Sequence, residues 1–253
     1  MSAPPESYWA TLPLGRGVTV LISDHNGLAA LNKPAGVLSH PNTPEDEPRS
    51  LLTARYVIED EYFEWADPAG ATRRLWLLNR LDSATSGVIL AAADGALAAA
   101  VRAQFKRKQV RKIYHALVFG VPRAPMELWR DLLSVEKTGG KIRTAASTGH
   151  VPAECRMSVV RPKLTEPRLA LIRLEPRTGR SHQLRVQCAK RRVPIVGDQT
   201  YGDFRRNREF AKAAGTKRLF LHSLETSFDY EWGGTKTAFA AKAPLPDEFE
   251  KFL

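Results

Sequence analysis

The sequence has few cysteines and no long apolar run. Cys155 and Cys188 are the two cysteines among its 253 residues. Their spacing fits neither a metal site nor a disulfide scaffold, so we expect a reducing, cytoplasmic setting. No apolar run approaches the ~20 residues of a membrane-spanning helix, and the stretch "MSAPPESYWATLPLG" lacks the basic and apolar regions of a signal peptide. These absences argue against a disulfide-stapled secreted domain and against a membrane protein.

Motifs of several enzyme classes are also missing. No GxxxxGK[ST] or GxGxxG sequence precedes a helical pattern, so phosphate-loop and dinucleotide sites have no support. The six histidines are scattered without an HExxH motif, and no GxSxG sequence occurs, so we predict neither a zinc site nor a serine-hydrolase elbow. Glycoside chemistry needs a second carboxylate beside Asp82. None lies within its motif, although one could come from elsewhere in the chain.

The charge, by contrast, is strongly positive. Lysine and arginine number 38 against 27 acidic residues, which gives a net charge of +11 and a pI near 9.9. Such a balance favours a polyanionic partner, either nucleic acid or an acidic membrane, over a merely solvated surface. A membrane partner would require a basic amphipathic anchor helix, and none is evident. Nucleic acid is therefore the expected partner.

The order of the sequence patterns predicts an α+β fold. Residues 1–16 are rich in proline and small polar residues and are predicted to form a loose N-terminal arm, followed by one domain over residues 17–253. Strands outnumber helices and many are neighbours in sequence, which favours a large mixed, mainly antiparallel sheet with flanking helices. The predicted strands are "VTVLISD", "LAALNKP", "RLWLLNRL", "GVILAAA", "RKIYHALVFGV", "AECRMSVVRP", "RLALIRLEP", "RLFLHSLETSFDY" and "TKTAFAAKAP".

Four segments have helical patterns, and one segment reads as a mobile connection. "RSLLTARYVIED" has apolar residues at helical spacing. "DGALAAAVRAQFKRKQ" is rich in alanine, and Asp94 can cap its start. "SHQLRVQCAKRR" is a third helix, which Thr178 or Ser181 could cap, and "LPDEFEKFL" is a terminal one. The acidic stretch "SHPNTPEDEP" is expected to be mobile.

A single carboxylate, Asp82, lies on the predicted loop between the strands "RLWLLNRL" and "GVILAAA". A lone carboxylate can act as a nucleophile, and it needs a nearby cation to stay ionised in a partly dry site. In "RTGRSHQLRV", helical spacing puts His182 and Arg185 on one face, so Arg185 could point toward Asp82. The alternative is that Asp82 and Arg80 only tie down a loop.

Six motifs occur in one order along the chain: "LNKPAGVLSHP", "NRLDSATSG", "RKIYHALVFG", "RTGRSHQLRV", "PIVGDQTYGD" and "RLFLHS". Together they resemble the RluA-type pseudouridine synthase family over roughly residues 18 to 240. "KPAG" alone is weakly specific, whereas RLDxxTSG followed by TGRxHQxR is strongly specific.

The resemblance implies that the protein isomerises uridine in ribosomal or transfer RNA to pseudouridine, without a metal or cofactor. Asp82 matches the catalytic aspartate, which would attack the sugar or the base or help remove a sugar proton. Arg185 matches the arginine that pairs with this aspartate, and Tyr114 matches a tyrosine that stacks on the target base. Arg80 matches an arginine that fills the gap left by a flipped-out nucleotide.

Basic residues cluster in two parts of the chain. Phosphate contacts that position RNA without reading its sequence are expected at Arg107, Lys108, Arg111, Lys112, Arg205 and Arg206. Asn79 departs from the family, which usually has histidine there, and is predicted to be a hydrogen-bonding substitute that supports the Asp82 loop. Lys33 is assigned to a turn. We expect a monomer, and a non-catalytic RNA-binding protein or a hydrolase on the same fold remains the alternative.

Overall fold

A computed structural model describes residues 6–138, 141–145 and 150–253 of the protein. Strands β1 to β13 are Thr19–Ser23, Leu28–Lys33, Arg55–Val57, Tyr62–Ala66, Thr72–Leu77, Ser86–Ala92, Arg111–Phe119, Met126–Thr138, Lys141–Ala145, Val151–Lys163, Leu169–Pro176, Leu221–Trp232 and Thr235–Lys242. Helices α1 to α5 are Glu6–Ala10, Gly95–Lys106, Gln183–Lys190, Phe204–Ala214 and Glu248–Lys251. The fold is α+β with a large, mainly antiparallel sheet, as the sequence predicts. Of the described helices, none is long and apolar enough to cross a membrane.

The chain divides into two compact units. The first unit comprises Met1–Val110 and Ser223–Pro244, and the second comprises Arg111–His222 and Leu245–Leu253. Each unit contains strands, helices and buried side chains of its own. A single domain over residues 17–253 stays a prediction.

In the first unit, strand β6 is buried on both faces. It pairs with β2 and β5, and β5 continues through β4 to β3 in antiparallel pairs. Val88 and Leu90 point into a cluster with α2, whereas Ile89 and Ala91 point into a second cluster on the opposite face. This is why the segment reads as an uninterrupted apolar run. Asp94 caps α2, as predicted, and accepts a hydrogen bond from the amide of Leu97 at 2.8 Å.

In the second unit, β7, β11, β10 and β8 pair antiparallel in that order, and β9 pairs with the end of β8. Helix α3 packs its Val186 against Leu133 and Ala153 of the sheet. Helix α4 packs Phe210 against Phe119, with ring centroids 6.0 Å apart. Strands β8 and β9 and helix α4 are elements that the sequence patterns do not reveal.

The helix predicted for "RSLLTARYVIED" is wrong. The chain runs extended there because its backbone pairs with the segment after α1: Leu52 bridges Leu14, and Thr53 N donates to the carbonyl of Pro13 at 2.8 Å. Strand β3 then pairs with β4.

Two neighbouring segments are more ordered than the sequence suggests. The acidic connection contains a 3₁₀ helix over Pro44–Arg49. Within the predicted loose arm, Tyr8 of α1 and Leu12 are buried in the core. The first five residues of that arm lie outside the described residues.

Candidate active site

Asp82 lies in the first unit, on the predicted loop between β5 and β6. The amide of Thr85 donates to the carbonyl of Asp82 at 3.0 Å, which closes a tight turn after it. Before it, the amide of buried Leu81 donates to Ser39 Oγ at 3.0 Å, and Ser39 Oγ donates back to the carbonyl of Leu81 at 2.7 Å. The backbone on both sides of Asp82 is therefore fixed by hydrogen bonds, so the carboxylate projects from a rigid loop.

Asn79 continues the pairing of strands where β5 ends. Its side-chain oxygen accepts a hydrogen bond from the amide of Leu90 at 2.8 Å, and the amide of Leu78 donates to the carbonyl of Leu90 at 3.0 Å. The side chain thus takes the place of a backbone acceptor at the base of the loop. The predicted hydrogen-bonding role of Asn79 is confirmed by this contact.

Gly87 is required by the backbone that carries the loop. Its φ is +110°, a conformation that residues with a side chain rarely adopt. A Cβ atom built there would lie 2.1 Å from the carbonyl oxygen of Ser223. The glycine of the "TSG" motif therefore lets β6 approach the chain at Ser223 closely.

Lys33, at the end of β2, is fully buried. Its Nζ donates to the carbonyls of Pro34, Val37 and Ser83 at 3.1, 2.6 and 3.0 Å. Burial lowers the pKa of Lys33 to about 7, and the charge of Asp82 opposes this shift. Lys33 thus ties the "KPAG" turn to the residue that follows Asp82.

The "KPAG" motif predicts only a turn role for Lys33 and does not indicate its contact with the Asp82 loop. A signal for it exists in the sequence. Lys33 ends a strand whose first four residues are apolar, and it shares a face with the buried residues Ala29 and Leu31. A charged residue on a buried face requires partners.

Arg80 is exposed beside the Asp82 loop. Its Nη1 lies 3.4 Å from Nε2 of His40, and the His40 ring stacks on Tyr56 with centroids 4.7 Å apart. Arg80 is therefore accessible to a large ligand, as a residue that enters RNA must be.

Arg185 lies in the second unit, on α3, and is buried. Its guanidinium binds Asp198 through two parallel hydrogen bonds, Nε to Oδ2 and Nη2 to Oδ1, both of 2.8 Å. The same guanidinium lies over the ring of Tyr201 at 5.1 Å from the centroid. Asp198 lies in the motif "PIVGDQTYGD" but was not predicted from the sequence as a site residue. The predicted pair of Arg185 with Asp82 stays a prediction.

Asp198 is held as a carboxylate. Burial raises the pKa of Asp198, but the Arg185 guanidinium and the amides of Tyr201 and Thr200 outweigh burial and lower it overall. The amides of Thr200 and Tyr201 donate to Asp198 Oδ1 at 2.9 and 3.0 Å. Asp198 therefore fixes the orientation of Arg185 and the turn that follows Asp198.

The start of α3 differs from the predicted cap. His182 occupies the N-cap position in the left-handed conformation, with φ of 53°, and makes no capping hydrogen bond. Thr178 Oγ1 instead donates to the side chain of Gln183 at 2.7 Å. Nδ1 of His182 lies 2.8 Å from the hydroxyl of Tyr201, which accepts the amide of Thr144 at 2.9 Å. His182 thus has a structural hydrogen bond.

Tyr114 lies on β7 in the second unit, half-buried and opposite Leu174 on β11. Lys112, two residues earlier, is also half-buried, and burial lowers its pKa. Arg111 is exposed and lies 3.3 Å from Glu175.

The remaining predicted phosphate contacts differ in exposure. Arg107 and Lys108, at the end of α2, are exposed, and so is Arg205 on α4. Arg206 lies over the ring of Phe119 at 4.4 Å and donates to the carbonyl of Arg168. Of the six predicted phosphate contacts, Arg107, Lys108 and Arg205 are therefore the most accessible. No group of histidine, cysteine and carboxylate side chains that could hold a metal ion occurs within the described ranges.

Known proteins resemble the chain over most of its length. The profile of the RNA pseudouridylate synthase family matches residues 27–190. A protein of Vibrio cholerae named tRNA pseudouridine synthase C is 31% identical over 234 residues, which cover 89% of this chain and 91% of that protein. The structure of human RNA pseudouridylate synthase domain containing 1 superposes with a TM-score of 0.68 at 22% identity, over 91% of this chain and 84% of that one.

A second human structure, RNA pseudouridylate synthase domain containing 4, gives a TM-score of 0.63 at 25% identity, covering 91% and 90% of the two chains. The matched region contains the Asp82 loop, Tyr114 and Arg185. Sequence profile, relatives and fold therefore agree with the motif order. The chain belongs to the RNA pseudouridylate synthase family, and it isomerises uridine in RNA to pseudouridine.

Proposed function

We propose that this enzyme modifies a uridine in transfer RNA and that Asp82 begins the reaction. The choice of transfer RNA rests on the relatives: the similar proteins of Vibrio cholerae and Salmonella typhi are both named tRNA pseudouridine synthase C. These alignments cover 91% and 89% of the two relatives, so the likeness extends beyond a shared catalytic core. Ribosomal RNA is the competing substrate.

The rigid loop around Asp82 is the observation that carries its proposed role. Asp82 can attack the sugar, attack the base or remove a sugar proton. Each route needs a carboxylate at a fixed position, because a displaced reacting group loses most of its rate advantage. The hydrogen bonds of Ser39, Lys33 and Thr85 supply that fixed position.

Three further side chains have proposed roles around the target nucleotide. Arg185 pairs with the Asp82 carboxylate, and its rigid attachment to Asp198 supports this role. Tyr114 stacks on the target base. Arg80, which is exposed, fills the gap that the flipped nucleotide leaves.

Contacts with the RNA backbone are proposed for the exposed cations Arg107, Lys108 and Arg205, with Arg111 as a further contact. Arg206 and Lys112 contribute less, because their side chains are engaged in packing within the second unit. The enzyme is proposed to act as a monomer in the cytoplasm. The two free, buried cysteines fit a reducing compartment.

The decisive variant is Asp82→Asn. The amide has nearly the same shape but can act neither as nucleophile nor as base, so turnover should be abolished while RNA binding and folding persist. Single-turnover isomerisation of transfer RNA and ribosomal RNA transcripts measures this directly. Asp229→Asn, at a partly exposed aspartate on β12, is the matched control and should keep full activity.

Residual turnover by Asp82→Asn above a few per cent of the wild-type rate, in enzyme free of contamination, would remove Asp82 from this role. Pseudouridine mapping of total RNA from cells with and without the protein identifies the substrate. A site found only in ribosomal RNA would contradict the transfer RNA assignment. A wild type that binds RNA without turnover would favour a non-catalytic RNA-binding role.

A further inference from the structure

Phe204 is an exposed aromatic residue on α4, whereas the other aromatic residues are buried or half-buried. The chain has ten phenylalanines, six tyrosines and five tryptophans, all within the described residues. Phe204 is the only one of them that is exposed, and 58% of it is accessible to solvent. Single exposed apolar residues are common, so exposure alone assigns no role.

The packing of α4 does not depend on Phe204. The inward face of this helix is anchored by Phe210, whose ring contacts Phe119, Phe220 and Phe252 with centroids 6.0, 5.8 and 4.9 Å apart. Phe204, by contrast, takes part in no ring contact within the part of the chain that the structure describes. The aromatic ring at position 204 is therefore not explained by folding.

Positive charge surrounds the exposed ring. The segment 203–218 contains six cations and two carboxylates. The exposed residues of α4 are Phe204, Arg205, Arg208, Glu209, Lys212 and Ala213. Arg208 lies one helical turn after Phe204 and therefore beside it. Arg205 reaches Glu209 only at 3.9 Å, and Arg208 and Lys212 form no ion pair among the described residues.

Helix α4 is also joined firmly to the segment that orients Arg185. The side-chain oxygen of Asn207 accepts a hydrogen bond from the amide of Gly197 at 2.8 Å, and its Nδ2 donates to the carbonyl of Asp198 at 2.9 Å. Asp198 in turn binds Arg185. A ligand held at Phe204 would therefore be held in a fixed relation to Arg185 within the same unit.

We propose that Phe204 stacks on an unpaired base of the RNA substrate while Arg205 and Arg208 contact the flanking phosphates. An exposed ring beside exposed cations matches a nucleotide, which offers an apolar face next to a negative charge. The site lies outside the proposed catalytic residues. This proposal rests on the proposed function only because it takes RNA as the ligand. The contact that it adds affects the affinity for RNA.

The test measures RNA affinity rather than turnover, so its failure is distinct from that of the Asp82 assignment. A pool of unmodified transfer RNA transcripts is bound at one fixed salt concentration by wild type, Phe204→Leu and Phe204→Trp. Phe204→Leu keeps an apolar side chain but removes the ring, and we expect a loss in affinity of about tenfold. Phe204→Trp should bind as tightly as wild type.

Two controls make the test specific to stacking. Leu164→Ala removes another exposed apolar residue, one that is 67% accessible, and should leave affinity unchanged. A fully paired RNA duplex of matched length offers no unpaired base, so wild type and Phe204→Leu should bind it equally. Arg205→Gln should lower the salt dependence of binding, whereas Phe204→Leu should not.

The proposal is overturned if Phe204→Leu binds the transcripts within twofold of wild type. Equal losses in the leucine and tryptophan variants would overturn it too, because a ring would then not be what matters. A loss that persists on the paired duplex would exclude an unpaired base as the ligand. Thermal unfolding of each variant establishes that the exposed substitution leaves the fold intact.

Discussion

Replacing Lys33 by methionine should change how the stability of the protein depends on pH. Burial lowers the pKa of Lys33 from 10.5 to about 7. Between these two values, the unfolded chain holds a proton that the folded protein does not hold. The free energy of unfolding should therefore rise with pH across this window, and protonation of the buried amine should cost stability below it.

The expected magnitude follows from the pKa shift. Between about pH 7 and about pH 9, a difference of one bound proton between the unfolded and folded states raises the free energy of unfolding by at most ~2.7 kcal/mol. Lys33 is already half deprotonated near pH 7 in the folded state, so the gain falls to about 2 kcal/mol. Between these two pH values, the free energy of unfolding of wild type should rise by this amount more than that of Lys33→Met, as measured by urea unfolding.

Titrating groups that the two proteins share contribute equally to both pH profiles, so their contributions cancel in the comparison. Burial also raises the pKa of Cys155 to about 12, and this lowers stability at high pH equally in both proteins. Lys242→Met, at an exposed position on β13, is the matched control and should follow wild type.

Parallel pH profiles for wild type and Lys33→Met would refute this reasoning. The physical reason for such an outcome would lie in the three carbonyls around Nζ. An ammonium group has three N–H donors for them, whereas a neutral amine has two. If those hydrogen bonds and Asp82 outweigh burial, Lys33 stays charged at every neutral pH. A permanent buried cation would then lie next to the Asp82 loop.

Three other predictions concern the loop and the RNA interface. Asn79→His should change the single-turnover rate by less than about tenfold, because either side chain can accept the β6 amide; a larger change would give residue 79 a chemical role. Gly87→Ala should lower the free energy of unfolding by about 3 kcal/mol or more through the clash with Ser223, and near-wild-type urea stability would contradict this. Affinity for RNA should fall steeply with salt. Replacing Arg107 and Lys108 by glutamine should reduce the slope of log affinity against log salt concentration by about 1 to 2. An affinity that does not change with salt would show that the positive charge serves another purpose.

The elements around the site were predictable because they depend on local signals. The run "GVILAAA" is apolar at every position, since β6 is buried on both faces. Asp94 before an alanine-rich segment predicts the start of α2, and the structure confirms this cap. Propensity and capping act over a few residues, so a single sequence contains them.

The segment 49–60 shows where local signals are insufficient. Leu51 and Leu52 are both buried, and their spacing to later apolar residues also suits a helix. The extended conformation is instead set by backbone pairing with Leu14 and with β4. Nothing in the sequence of the segment itself indicates either of these partners. Tertiary hydrogen bonds override helical propensity here.

The same distinction applies to the site. Motifs single out Asp82 and Arg185 as predicted site residues, whereas no motif indicates the partner of Arg185, Asp198, or the contacts of Lys33. A buried charged residue is recognisable as unusual in a sequence, but its partner is not, because the partner is fixed by the fold. The bond from Asp198 to Arg185 spans thirteen positions in the chain, and that from Lys33 to Ser83 spans fifty.

These buried contacts also fix both ends of α3. Asp198 accepts hydrogen bonds from Nε and Nη2 of Arg185, so the plane of the guanidinium is held. The opposite end of α3 is fixed in the same way, because Asp131 accepts hydrogen bonds from Lys190 and Arg191 at 2.7 and 2.9 Å. Held at both ends, α3 keeps Arg185 in one orientation, and a polar group that is fixed in advance needs little reorganisation to stabilise a charge.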